Sequence, residues 1–173
     1  MIVLITGASG SGKTTTLKAL QNNLPASTSV HFFDDIGVPS LEKMIECYGS
    51  SQKWQQAATH QWIEKLIQLT DQTNILEGSF NPEYAVEVLK TKKDVSYLIM
   101  CLHADEAIRE QRLIYDRNQP ELATEDMNNF ARFLMEKTLD LGGVIIDTTH
   151  ESVSEVVDML RKYIMKHEIE KNL

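Results

Sequence analysis

The chain has 173 residues, 42% apolar and 24% charged, which suits one α/β domain with a real buried core. Its formal net charge of −8 argues against a nucleic-acid partner, because a phosphate backbone needs a basic face. No segment resembles a membrane span, and the N-terminal apolar run is too short for a signal peptide. The two cysteines, Cys47 and Cys101, lack metal-ligand spacing, so a reduced, cytoplasmic chain is expected.

The first predicted strand is Ile2 to Thr6. Residues 7 to 14 follow as Gly-Ala-Ser-Gly-Ser-Gly-Lys-Thr, which is G-x-x-x-x-G-K-[ST], and a helical run from Thr15 to Leu24 comes next. Strand, glycine-rich turn and helix are the context a phosphate-binding loop requires. Backbone N–H groups freed by Gly7, Gly10 and Gly12 form an anion nest, and the helix start adds its own unpaired N–H groups. Lys13 reaches the β- and γ-phosphates, and the Thr14 hydroxyl is placed to ligate Mg²⁺. The candidate nucleotide-binding residues are therefore Gly7, Ser9, Gly10, Ser11, Gly12, Lys13, Thr14 and Thr15. A dinucleotide fingerprint fits worse, since Thr15 stands where a third glycine is needed.

The second strand, Val30 to Phe33, runs into Asp34 and Asp35. A long segment, about 37–73, then holds two predicted helices. Ser40 caps the first, Tyr48-Gly49-Ser50 breaks it, and the second runs from about Ser51 to Leu69 with Trp54, Ala58, Trp62, Leu66 and Leu69 on one face. This excursion can form a cap over a substrate pocket, or simply pack onto the body. The third strand, Asn74 to Glu77, ends on Glu77-Gly78. Ligands of open parallel sheets bind at the carboxyl ends of strands, so Asp34, Asp35 and Glu77 are placed to hold metal-bound waters or to accept a proton from an attacking hydroxyl. For the Asp pair, turn formation or helix capping is an equal alternative. An acid ending an apolar run is costly without a partner, which favours a functional Glu77.

Thr91-Lys92-Lys93-Asp94 matches the letters of a guanine-specifying motif but precedes the fourth strand, Ser96 to Leu102, instead of following one; a regulatory GTPase is disfavoured. After that strand, Arg109, Arg112 and Arg117 crowd into a helical segment, and no arginine precedes them. Phosphoryl transfer needs cations on the migrating group, and a mobile arginine-bearing lid, about 105–125, can close over ATP and exclude water. A fifth strand, Val144 to Asp147, and a last helix from about Ser152 to Lys166 complete the pattern, with a polar tail expected to fray. Strands alternating with helices imply a parallel sheet with helices on both faces.

In this order the pieces resemble the P-loop small-molecule and nucleotide kinases, the superfamily of adenylate, shikimate and gluconate kinases. The resemblance covers nearly the whole chain, residues 1–173 forming one kinase-like domain with a helical cap and a lid. It implies a five-stranded sheet of order 2-3-1-4-5, with Arg109 or Arg112 against the adenine, Arg117 on the phosphates, and the Thr148-Thr149-His150 loop, Thr149 included, beside the base. It implies that Asp34 or Asp35 orients or deprotonates the acceptor. The family usually has Asp-Gly after strand three, where this chain has Glu77-Gly78, one methylene longer.

Nucleoside monophosphate kinases clamp the acceptor phosphate with arginines. Here the cap has only Lys43, Lys53 and Lys65, and Ser79-Phe80-Asn81-Pro82 adds none. The expectation is an ATP-dependent phosphotransferase acting on a hydroxyl of a neutral or weakly charged small molecule. ATP and Mg²⁺ are the cofactors. Lys13, Asp34, Asp35 and Arg117 are catalytic, Thr14 is a metal ligand and Glu77 another through water. Gln55, His60, Gln61 and Trp62 are candidates to line the acceptor pocket. The alternatives are a nucleoside monophosphate kinase or a nucleotide-binding protein without a small-molecule acceptor.

Overall fold

A computed structural model describes residues 1–21, 24–25, 27–69 and 72–171 of the chain. Five strands, β1 Ile2–Thr6, β2 Thr28–Phe32, β3 Thr73–Glu77, β4 Tyr97–His103 and β5 Val144–Asp147, form one parallel sheet in the order β2-β3-β1-β4-β5. Every residue of β1 is buried, as a central parallel strand covered on both faces requires. Its side chains alternate: Ile2 and Leu4 join a core with Trp54, Trp62, Leu76 and Phe80, while Val3 and Ile5 join a second core with Leu17, Leu20, Met100 and Leu160.

Helices close both faces. On one side lie α3 Ser51–Ile67, α4 Pro82–Leu89 and α6 Glu125–Asp140; on the other α1 Lys13–Gln21 packs against α7 Val153–Lys171. The two helices of segment 37–73 form as expected. Ser40 accepts from the Lys43 N–H at the start of α2 Leu41–Tyr48, and Gly49, at φ 86°, ends it in the left-handed conformation. Ser50 caps α3, whose Trp54, Ala58, Trp62 and Leu66 are buried. This helix is thus a layer of the core, with α2 lying against it.

Two boundaries differ in ways that matter here. Phe33 leaves the strand to begin a single 3-10 turn, Phe33–Ile36, with its ring buried against Trp54 and Phe80. The last helix runs beyond Lys166 to Lys171, with an i, i+4 ion pair of 3.7 Å between Lys166 and Glu170 in place of the expected frayed tail. The first helix, expected to reach Leu24, is described to Gln21, and Leu24 is not helical; residues 22 and 23 between them lie outside the described residues, as do positions 70–71 of the cap segment and 172–173 of the tail.

Candidate active site

The glycine-rich loop leaves the carboxyl end of the central strand, between the ends of β3 and β4. Gly10 sits at φ 82°, and a Cβ there would lie 2.8 Å from the Arg109 carbonyl oxygen, so only glycine lets the loop pass this close to the arginine segment. The Ser79 hydroxyl donates to the Gly7 carbonyl at 2.9 Å, and the Ser11 N–H bonds to the Ala8 carbonyl at 3.2 Å.

Lys13 is 7% exposed, and its Nζ donates to the Ala8 carbonyl at 3.1 Å. Burial lowers its pKa, while the Glu77 carboxylate pulls the other way. The Thr14 hydroxyl donates to Glu77 Oε1 at 3.3 Å, joining the loop to the end of β3. Burial pushes the Glu77 pKa up, and Lys13 opposes it. Cys101, buried nearby, is driven by desolvation to a pKa of about 11 despite Lys13, which leaves it an inert thiol.

Two cavities meet at this lysine. One, of about 470 Å³, is bordered by Gly10, Gly12, Thr15, Arg112 and Thr148; the other, of about 370 Å³, by Phe32, Phe33, Asp34, Asp35, Glu77 and Ser79. Lys13, Thr14, Lys18 and Arg117 border both. Ser9 belongs to the second cavity only. The helix dipole and the loop amides face the first, which can hold an anion of triphosphate size.

The three arginines take different places. Arg112 lies in the wall of the first cavity, with Nη1 donating to the Gly10 carbonyl at 3.3 Å and to Thr148 Oγ1 at 3.1 Å, and Nη2 to the Thr148 carbonyl at 2.7 Å. Thr148 in turn donates from its hydroxyl to the Ser11 carbonyl at 3.0 Å. Arg117, exposed, follows one turn of π-helix, Arg112–Asp116, which advances it to the junction of the cavities. Arg109 is buried, its guanidinium donating to Asn128 on α6, and it lies in the wall of neither cavity. Of the two arginines proposed for the base, the geometry brings only Arg112 to the site.

Further sequence candidates are displaced. Thr149 is absent from both walls: its hydroxyl donates to Asp147 Oδ1 at 2.6 Å and accepts from the Asp105 N–H at 3.0 Å. Its neighbour Thr148 borders the cavity. Neither do Gln55, His60, Gln61 and Trp62 line the second cavity. His60 Nε2 pairs with Glu87 at 2.8 Å on the surface, and Gln61 is exposed. Gln55 and Trp62 hold the wall from behind, through the Ser79 carbonyl at 3.2 Å and the Phe33 carbonyl at 3.0 Å. Lys18 was not singled out by sequence; its position four residues after Thr14, one helical turn on, is the signal that finds it. Asp94 lies beside Met1 and Ile2, by the opposite ends of the strands, away from any nucleotide base.

The sheet order, the loop and the flanking helices define a P-loop kinase-like fold. Residues 3–132 match a family model described as an AAA domain, and the chain belongs to that family. Among solved structures, a shikimate kinase from Acinetobacter baumannii in complex with shikimate is similar at 16% identity, covering 95% of this chain and 93% of that one with a TM-score of 0.64. A gluconokinase from Sinorhizobium meliloti 1021 is similar at 14% identity, over 90% and 86% of the two chains, with a TM-score of 0.61. No curated protein matches the chain in sequence. Among the described residues, no helix is long and apolar enough to cross a membrane.

Proposed function

We propose that the protein is a single-domain, cytoplasmic phosphotransferase that moves the γ-phosphoryl group of Mg²⁺-bound ATP to a hydroxyl of a small molecule. The observation that carries this reading is the common wall: the side chains suited to phosphate stand between an anion-binding cavity and a cavity ending in two aspartates.

The residues fit the donor. The buried Lys13 ammonium has only a backbone carbonyl as hydrogen-bond partner among the described residues, which leaves two N–H directions for phosphate oxygens. Mg²⁺ supplies charge neutralisation on the phosphates; Thr14, and Glu77 through water, would hold it, and their mutual hydrogen bond aligns both. Arg112 and the loop at Thr148 border the nucleotide, and Lys13 and Arg117 stabilise the migrating group.

In the transfer, the acceptor oxygen forms a bond to the γ-phosphorus as the bond to the β,γ-bridging oxygen breaks. ADP leaves with that electron pair, and the hydroxyl proton passes to Asp34 or Asp35. The aspartate end of the second cavity has no arginine of its own, so a hydroxyl acceptor is favoured over a nucleoside monophosphate.

The test is an ATP-consumption screen over sugars, polyols, nucleosides and aminated alcohols. Lys13→Ala is expected to lower acceptor-dependent ADP formation by roughly a thousandfold, the scale of losing a preorganised cationic donor. Turnover unaffected by Lys13→Ala would overturn the mechanism, and a preference for GTP over ATP of about tenfold or more would favour a switch protein.

A further inference from the structure

We infer that the acceptor is an amino alcohol, a small molecule with an ammonium group a few bonds from the hydroxyl that is phosphorylated; Asp34 takes the hydroxyl and Asp35 the ammonium. This rests on the kinase reading above and goes further by fixing the charge of the acceptor.

The argument is a census of the second cavity. Its cations, Lys13, Lys18 and Arg117, all belong to the wall it shares with the first cavity, where a triphosphate engages them. The wall that an acceptor alone would meet offers Ser9, Phe32, Phe33, Gly78, Ser79 and the two aspartates, with Glu77 beside them. Glu77 is buried and bonded to Thr14. Asp34 and Asp35 are exposed to the cavity, and among the described residues neither carboxylate has a hydrogen bond or ion pair.

One carboxylate suffices to receive the hydroxyl proton. The second is a charge without a partner, on a turn that is held rigidly: Trp62 bonds the Phe33 carbonyl at 3.0 Å, and the Phe33 ring stacks on Phe80 at 5.3 Å. Consecutive residues of a 3-10 turn project about 120° apart, so the pair does not converge on one atom. Their roles separate by position. The charge of Asp34 reaches Lys13 and Glu77 as a minor influence, which sets it toward the transfer centre, and Asp35, the next residue of the turn, borders the cavity in a different direction. A carboxylate-bearing acceptor would face two like charges and find its cations already committed to phosphate. An ammonium supplies the missing partner.

Matched acceptors isolate the charge: D-glucosamine, D-glucose and D-gluconate in one set, serinol, glycerol and glycerate in the other. The aminated member of at least one set is expected to exceed its neutral counterpart in kcat/KM by about tenfold or more, with the carboxylate last. Asp35→Asn is expected to bring the aminated and neutral members within about threefold by raising KM for the aminated one alone. Asp34→Asn is expected to abolish transfer to all of them. Preference for a neutral or carboxylate member, or a ratio unchanged in Asp35→Asn, overturns the proposal while leaving the kinase reading intact. If no member is phosphorylated, the kinase reading fails for these acceptors. Titration calorimetry of the same sets with Mg²⁺ and a non-hydrolysable ATP analogue then decides the charge preference: tighter binding of aminated members supports it, and equal or undetectable binding overturns it.

Discussion

Phe33 and Gly78 decide where Asp34 and Asp35 stand. A Cβ at position 78 would lie 2.4 Å from Phe33 Cβ, a separation no packed side chains adopt, so the glycine is there to admit the ring. That ring stacks on Phe80 and meets Trp54 edge-on at 6.1 Å, and the chain passes directly from it into Asp34. Gly78→Ala is therefore expected to overpack this corner by about 2 kcal/mol. That corresponds to a fall in Tm of roughly 4–8 °C for a chain of this size, measured by calorimetry. Because the displaced turn carries the aspartates, KM for the acceptor is expected to rise more than KM for ATP. Glu77-Gly78 was legible in the sequence as a strand ending in acid and glycine. The reason for the glycine was not, because its partner lies 45 positions earlier and meets it only through the pairing of β2 with β3.

Between elements, the junction of β5 with the arginine segment is held by Asp147. Its carboxylate accepts from the Thr149 hydroxyl and N–H, and the same hydroxyl accepts from the Asp105 N–H just before α5 Glu106–Gln111. These bonds, the hydroxyl first, hold its pKa below the usual aspartate range. The folded state thus binds that proton less tightly than the unfolded chain. The resulting stabilisation is complete above the ordinary aspartate range and is lost as pH falls through the lowered value. Thr149→Val is expected to move the Asp147 titration upward by NMR. It is also expected to lower the urea midpoint at neutral pH, with the pH-dependent part of the difference closing in acid. The Thr148-Thr149-His150 loop was expected beside a base from resemblance alone; that Thr148, and not Thr149, borders the cavity depends on a carboxylate at the strand end. Likewise the arginine cluster was legible as a group. Its division into one buried, one bridging and one forward residue follows from Asn128 on α6 and from a π-turn, neither of which leaves a periodic trace.

At the scale of the whole molecule, the parallel sheet was readable from five apolar runs alternating with helical patterns, and the strand order from resemblance. That order places β1 between β3 and β4, so the phosphate-binding loop emerges where the carboxyl ends of its neighbours can reach it. Helix ends were less legible: α7 continues past Lys166, where Lys166 pairs with Glu170 and the Thr73 hydroxyl on β3 donates to Glu168 at 2.9 Å. The wall of the second cavity was the least legible part. Trp62 and Gln55 lie one layer behind it, and periodicity along α3 identifies a buried face without saying what stands in front of it. The wall common to both cavities has a kinetic consequence. On the proposed reading, donor and acceptor would meet across the same four side chains, none of which the proposed chemistry uses to carry a phosphoryl group, so neither product would form until both substrates are bound. Initial-rate plots are expected to intersect rather than run parallel, and isotope exchange between ADP and ATP is expected to require the acceptor. Parallel lines, or exchange without acceptor, would point to a phosphorylated enzyme and a reaction divided in time.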